Sequence, residues 1–337
     1  MLKRTLVVNM NYLGDALMTT PTLAMLRQAF EAPIDVIAGG ASGYAAVEVL
    51  RGNPDIGRLV ARPDGGAFAR CAQLFRTVLE GAYDLVIVLP SIDAYRWAAM
   101  LGGAKQVIYV PPCPEGAHMA DHMLQVVAVR LGIRPAPLKY TLNVSDAARE
   151  TAGRMLEELD QSLPLVALNI GGTRPQKRWS TESFQEVTQR LHARGYNTAL
   201  LGGQPDKAMA GRIMADLDHV AVVDLTGRTS IAELGAVIER SQVVVTGDSG
   251  AMHIAGALEV PVVALFGSTD PAKTGPVGPG RSHVIYRQLA CAPCNSHPTC
   301  GGAFTCMSLI TPLEVVAAVE QIVGRVAKQP RLRIITS

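Results

Sequence analysis

Aromatic residues are scarce in this chain, 5% of 337, with only two tryptophans. Charge is thin as well: 18% of residues are charged, below the roughly 25% of an average soluble domain. Lys plus Arg is 31 and Asp plus Glu is 29, a net charge of +2. That balance lacks the basic surplus of a nucleic-acid coat protein, so no nucleic-acid partner is expected. Long apolar runs are missing too. The most apolar stretch, 251–266, is broken by His253 and Glu259, so no membrane span is expected. The start, MLKRTLVVNMNYLGD, has a basic lead but too brief an apolar run for a secretory signal. A cytoplasmic location is the expectation. The first strand end lacks both G-x-G-x-x-G and G-x-x-x-x-G-K-[ST], so it carries neither a dinucleotide fingerprint nor a P-loop, which weakens a dehydrogenase reading.

What the chain does have is apolar mass, 48% hydrophobic, set in a repeating strand–helix rhythm. Its length predicts about two domains. In the first half, strands are expected at Leu6–Met10, Ile34–Ala38, Leu59–Ala61, Asp84–Leu89 and Gln106–Val110. Helices fall between them at Asp15–Phe30 (with Pro21 as an irregularity), Tyr44–Leu50, Phe68–Leu79, Ala94–Leu101 and Met119–Leu131. Pro135 and Pro137 mark a boundary region, and a helix at Asp146–Leu159 leads into the second half. The rhythm resumes there with strands at Leu165–Asn169, Asn197–Leu201, Ala221–Asp224, Val243–Thr246 and Val260–Phe266, and a last helix at Pro312–Val326. Uninterrupted apolar strands between amphipathic helices predict parallel sheets covered on both faces. The class is α/β: two Rossmann-like domains, residues 1–150 and 151–337, with ligands held in a cleft at the carboxyl ends of the strands.

Local charge is less even than the total. Segment 51–76 holds Arg51, Arg58, Arg62, Arg70 and Arg76 against Asp55 and Asp64, and Arg325, Lys328, Arg331 and Arg333 follow Glu320 without an acid. Each stretch suits an anionic partner or an ordinary solvated face.

Chemistry concentrates at strand ends. The first strand runs into N-M-N-Y-L-G-D, where Gly14 permits a tight turn and Asp15 starts a helix. Asp15 reads as a helix cap or as a general base projecting from a rigid strand end. In N-I-G-G-T-R-P-Q-K-R-W-S, Gly171 and Gly172 let backbone N–H groups approach an anion, with Thr173 and Lys177 close behind. That pattern suits a phosphate site or a polar loop. Asp206, after Gly202-Gly203, is a cap or a ribose acceptor. The strongest signal is V-V-V-T-G-D-S-G-A-M-H, which sets Asp248, Ser249 and Gly250 at a strand–helix junction with His253 one turn inside. His253 reads as a core histidine or a phosphate contact. Thr269, in L-F-G-S-T-D-P, lies at a neighbouring strand end. Two adjacent polar glycine-rich strand ends predict a ligand site.

Together these segments resemble glycosyltransferase family 9, the ADP-heptose:lipopolysaccharide heptosyltransferases. The resemblance rests on L-V-V-N-M-N-Y-L-G-D-A-L-M-T-T-P-T-L, G-G-T-R-P-Q-K-R-W and T-G-D-S-G-A-M-H-I-A-G-A-L with L-F-G-S-T-D-P, and it runs over nearly the whole chain. It implies the GT-B fold, with an acceptor domain first and a nucleotide-sugar domain second. It also implies an inverting transfer of heptose from ADP-heptose to a lipopolysaccharide inner-core acceptor, lipid A-Kdo or a core heptose, in building the bacterial cell envelope. The family's base falls on Asp15, its phosphate contacts on Thr173 and Lys177, and its donor motif on Asp248, Ser249, Gly250 and His253. Asp206 resembles a ribose ligand of some members. No cofactor is required for transfer. The acceptor's acidic groups would meet Arg58, Arg62 and Arg70, with Gly14, Arg96 and His122 as further acceptor candidates, and peripheral contact with the inner face of the cytoplasmic membrane follows. Alternatives are a family 9 transferase with another nucleotide-sugar or acceptor, or a nucleotide-sugar-binding protein without transfer.

Of six cysteines, four lie in C-A-P-C-N-S-H-P-T-C-G-G-A-F-T-C, segment 291–306. Cys291, Cys294, Cys300 and Cys306 suit a structural zinc or iron site, packed reduced thiols, or disulfides, the last disfavoured in a cytoplasm.

Overall fold

The computed structural model describes residues 4–9, 12–39, 46–63, 65–215, 217, 221–278, 281–295 and 297–324. The basic residues after Glu320, together with Asp64 and Tyr44, lie outside the described residues. The first half holds β1 (Thr5–Val8), β2 (Ile34–Ala38), β3 (Ile56–Ala61), β4 (Leu85–Val88) and β5 (Gln106–Tyr109). Its helices are α1 (Leu13–Met18), α2 (Thr20–Phe30), α3 (Ala46–Leu50), α4 (Ala67–Gly81), α5 (Asp93–Leu101) and α6 (Met119–Leu131). The second half holds β6 (Leu165–Asn169), β7 (Asn197–Leu201), β8 (Val222–Asp224), β9 (Val243–Gly247), β10 (Val262–Phe266) and β11 (Ser282–Tyr286). Around these lie α7 (Asp146–Met155), α8 (Thr181–His192), α9 (Lys207–Met214) and α10 (Ile231–Glu239). The remaining helices are α11 (Gly250–Ala257), α12 (Pro271–Thr274), α13 (Thr305–Ser308) and α14 (Pro312–Val323).

Among the described residues the strands form two all-parallel sheets, ordered β3-β2-β1-β4-β5 and β11-β10-β9-β6-β7-β8. Each sheet reverses its winding once, between β1 and β4 and between β6 and β9. Crevices that take ligands open at such switch points. The loops after β1, β6 and β9 therefore start where the topology leaves room.

Alternation decides which side chains line which layer. Leu6 and Val8 of β1 pack under α4 and α5 with Leu74, Val78, Tyr95 and Ala98. Val7 points the other way, into a core that continues through α1 and α11 to Ala167, Val244 and Ala264 of the second sheet. The far face of that sheet packs under α8, α9 and α14 through Val166, Val245, Phe184 and Val315. A single apolar layer thus spans the contact between the halves.

Several details differ from the sequence expectation, and two of them concern helices. The helix read over Asp15–Phe30 divides at Thr19. Pro21 has no N–H for the Leu17 carbonyl, and the Thr20 hydroxyl donates to that oxygen at 2.7 Å instead. Thr19 likewise donates to the Ala16 carbonyl at 2.7 Å and accepts from Asn9 at 2.9 Å, which pins the break to the end of β1. A boundary at 150 would cut α7, which packs on α10 of the second half and pairs with it through Arg149 and Glu239 at 2.7 Å.

Candidate active site

The site forms where α1 of the first half meets α11 of the second. Gly14 lies against the His253 ring so closely that a Cβ there would sit 2.6 Å from Cδ2. Gly250 lies against Leu13 in the same way, again 2.6 Å from a methyl carbon. Each glycine is thus the absence of a side chain that would hold the two helices apart.

This approach sets Asp15, in the first turn of α1, within electrostatic reach of Lys177 and Asp248 across the contact. Lys177 Nζ and Asp248 Oδ2 pair at 2.6 Å, with side chains only 17% and 8% exposed. Burial pushes the Asp15 carboxyl up to about 6, the Asp248 charge adds to the rise, and Lys177 opposes it. A carboxyl poised near neutrality at a switch point is suited to accept a proton during reaction.

His253 is buried one turn into α11 and held neutral, its pKa pushed down to about 4 by burial. Asp248 opposes that shift, and His118 and Lys177 add to it. Among the described residues its Nδ1 has no hydrogen-bond partner, and the Tyr140 ring stands 5.9 Å away at a tilt of 58°. His118 links the halves nearby: its Nδ1 accepts the Ala120 N–H, and its Nε2 lies 3.2 Å from the Gly275 carbonyl.

The ends of β6 and β9 are tied by a polar network. Asn169 donates to the Thr246 and Ser249 hydroxyls, each at 3.1 Å, and to the Gly171 carbonyl at 3.2 Å. The Ser249 and Thr246 hydroxyls bond each other at 2.8 Å. Ser249 therefore leaves the first turn of α11 without a side-chain cap. An uncapped helix start beside a sheet's switch point offers N–H groups and a positive dipole end to an anion.

Other sequence candidates take distinct places. Asp206 accepts the Gly203 N–H at 2.9 Å and pairs with Arg178 at 3.0 Å, bracing the two glycine turns that follow β6 and β7. Arg178 also donates to the Gly172 carbonyl at 2.8 Å, and Thr173 is exposed on the same loop. Thr269 is buried at the end of β10. His122 lies 3.0 Å from the Pro111 carbonyl, and Arg96 stands exposed over the Trp97 ring.

The arginine-rich run divides. Arg62, just past β3, is only 4% exposed; it donates to the Asn9 carbonyl and to the Tyr95 hydroxyl at 3.3 Å. Among the described residues no carboxylate pairs with it, its Nε is unpartnered, and Arg70 lies within electrostatic reach. Arg58 is not brought there: it is exposed near the start of β3, within reach of Tyr83 at the opposite end of the sheet.

Among the described residues no group of three or more His, Cys, Asp or Glu side chains is placed to hold a metal ion, the metal-site alternative read at 291–306 included. The four cysteines are free thiols. Cys306 is buried, its sulfur packed where a Cβ on Gly267 would fall, while Cys291 is exposed. Cys291, Cys294 and Cys300 all lie within electrostatic reach of Cys306. The loop instead buttresses the site: the Asn295 N–H donates to the Ser268 carbonyl at 2.7 Å, and Gln176 donates to the Asn295 carbonyl at 2.8 Å.

Sequence reading missed Asn169, Thr246, His118 and Tyr140. The polar ends of the apolar runs at 165–169 and 243–246 were the available signal for the first two.

The family model of glycosyltransferase family 9 (heptosyltransferase) matches residues 109–302, more than half of the chain. The chain belongs to glycosyltransferase family 9. It is 28% identical over 286 residues to lipopolysaccharide heptosyltransferase 3 of Escherichia coli K12, covering 77% of this chain and 81% of that relative. The crystal structure of the family 9 glycosyltransferase from Veillonella parvula aligns with a TM-score of 0.81 and 24% identity, over 95% of this chain and 97% of that one. The ADP-heptose lipopolysaccharide heptosyltransferase II of E. coli aligns with a TM-score of 0.77 and 21% identity, over 95% and 98%. The fold is GT-B, and the protein is a glycosyltransferase.

Asp15 has a measurable signature apart from activity. Its pKa is raised on folding, so its contribution to stability is full below the unfolded value of 3.8 and is lost as pH rises through about 6. Asp15→Asn is therefore expected to raise Tm by a few degrees at pH 7.5, with the gain vanishing toward pH 4. Calorimetry across that range checks the sign; a lowered Tm at pH 7.5 would contradict the burial of the ionised carboxylate.

Proposed function

We propose that the protein transfers heptose from ADP-heptose, with inversion at the anomeric carbon, to the inner core of a lipopolysaccharide. The observation that carries this reading is a carboxyl on one domain, Asp15, raised to about 6 and facing the Lys177–Asp248 pair of the other. Asp15 takes the proton of an acceptor hydroxyl as that oxygen bonds to the anomeric carbon. The bond from that carbon to the diphosphate breaks on the opposite side, and ADP departs with the electron pair. Lys177 and the uncapped N–H groups of α11 stabilise the charge that grows on the diphosphate. Gly171, Gly172 and Thr173 form the turn beside it, and Thr269 closes the neighbouring strand end.

ADP-heptose is supported by the donor named for the E. coli heptosyltransferase II structure and by the anion-seeking character of this half. The acceptor reading is supported by the lipopolysaccharide named for the 28% identical relative and by Arg62. A buried guanidinium with no carboxylate partner among the described residues suits an acidic sugar or a sugar phosphate. Arg70 reinforces it. Among the described residues no helix is long and apolar enough to cross a membrane. Such an enzyme would meet its lipid-linked acceptor peripherally, from the cytoplasmic side.

Asp15→Asn is expected to lower kcat by about 10²- to 10⁴-fold while calorimetric ADP binding stays within about threefold of wild type. Transfer at wild-type rate would remove Asp15 from the chemistry. Arg62→Leu is expected to raise the acceptor KM by about tenfold or more, one charge-assisted contact's worth, with the donor KM unchanged. An unchanged acceptor KM would assign Arg62 to packing alone.

A further inference from the structure

The glycine pairs Gly171-Gly172 and Gly202-Gly203 follow the neighbouring strands β6 and β7, and one carboxylate sits between them. Asp206 is 5% exposed, and its Oδ2 accepts the Gly203 N–H at 2.9 Å. A Cβ on Gly171 would fall 2.6 Å from that same oxygen, and one on Gly202 would fall 3.1 Å from it. Both turns therefore close on the carboxylate with backbone alone. Oδ1 is buried as well, and Arg178 Nη2 stands 3.0 Å from it in an ionic contact without hydrogen-bond geometry. Of the two roles the sequence allows Asp206, cap or ribose acceptor, this enclosure fits the first.

A buried carboxylate needs a cation, and Arg178 both supplies one and carries the contact onward. Its Nε donates to the Gly172 carbonyl at 2.8 Å, and a Cβ on Gly172 would lie 3.2 Å from its Cγ. Stem and guanidinium together hold the second glycine of the β6 turn. Arg178 also follows Lys177 directly. Its N–H donates to the Pro175 carbonyl at 3.0 Å, closing the single turn Pro175–Lys177. The Lys177 carbonyl in turn abuts the end of β9, 2.8 Å from where a Cβ on Gly247 would fall. With its backbone fixed there, Lys177 reaches Asp248 at 2.6 Å. Without Asp206 the Arg178 side chain, 32% exposed, would be free to leave the turn for solvent or for an arriving anion.

We infer that Asp206 is a positioning residue: through Arg178 it holds the β6 glycine turn and Lys177 in the shape that receives the diphosphate of a nucleotide-sugar, and it touches no part of the donor. The inference rests on the donor half of the function proposed above, and there only on the diphosphate, whichever base or sugar it carries.

Calorimetry of the full-length wild type against ADP, GDP, UDP and CDP selects the nucleotide, and its 2′,3′-dideoxy form lacks the hydroxyls that a ribose ligand would hold. Asp206→Asn keeps an acceptor for the Gly203 N–H and removes the charge that holds Arg178. Arg178→Met keeps the stem beside Gly172. Each is expected to weaken nucleotide binding by about tenfold, one charge-assisted contact's worth, and by the same factor for the dideoxy form. Because the two act through one contact, the double variant is expected to lose no more than the weaker single variant. The acceptor KM stays at its wild-type value throughout, and Arg178→Lys, which keeps a cation for Asp206, recovers part of the loss. A loss at Asp206→Asn that disappears with the dideoxy nucleotide would make Asp206 a ribose ligand and overturn the inference. Wild-type nucleotide affinity in both folded single variants would overturn it too, leaving the brace to stability alone. Selection of a nucleotide other than ADP would instead overturn the ADP-heptose reading, while the same comparison on that nucleotide still decides the role of Asp206.

Discussion

α1 and α11 touch through two glycines: Gly14 meets the His253 ring and Gly250 meets the Leu13 side chain. A larger residue at either position would push one helix start off the other. Everything the site does depends on that distance. Asp15 is one residue from Gly14, and Asp248 is two from Gly250, so the contact that joins the halves also sets the two carboxylates in each other's field. The apolar layer running through both helices into both sheets holds them there.

That arrangement is electrostatically costly by itself. Two carboxylates close together in a partly buried place cannot both be comfortable as anions, and the Lys177 ammonium answers only one of them directly, Asp248. Asp15 is left raised, which is the state a proton acceptor needs. A diphosphate arriving at the uncapped start of α11 would meet a cation, a row of N–H groups and a neutral histidine. On the acceptor side the imbalance has the other sign: Arg62 is a buried cation without a described carboxylate partner. Each half carries an uncompensated feature that a substrate of the opposite charge would satisfy, and such local conflicts are the usual mark of a functional site.

Much of this was legible in the chain. The strands Ile34–Ala38, Leu165–Asn169 and Asn197–Leu201 and the helix Met119–Leu131 lie where periodicity sets them, because strands buried on both faces leave an unbroken apolar record. The placement of Asp15, Lys177 and Asp248 at strand ends was equally readable. β11 was not: Ser282–Tyr286 is a partly exposed edge strand, and its mixed composition has neither an apolar run nor clean alternation. The division at Thr19 was visible only as a proline, since it needs the hydroxyl bonds of Thr19 and Thr20. Arg58 and Arg62 looked alike in one basic run, yet four residues of strand carry them to opposite ends of a sheet. The contact of Gly14 with His253 joins positions far apart in sequence, and no local pattern announces it. The cysteine spacing left metal, packed thiols and disulfides open; the thiols are free, with Cys306 packed in the core against Gly267.

The proposed reaction sets the acceptor sugar at Arg62, its hydroxyl at Asp15 and the donor beyond it under α11. Its central element is the shifted carboxyl of Asp15, and the most direct measurement is the pH dependence of kcat/KM for the wild-type enzyme with a soluble acceptor. The account predicts an acidic limb with a midpoint of about 6, reporting the free enzyme's base. A limb near the ordinary carboxylate value of 3.8, or a flat profile across that range, would contradict it.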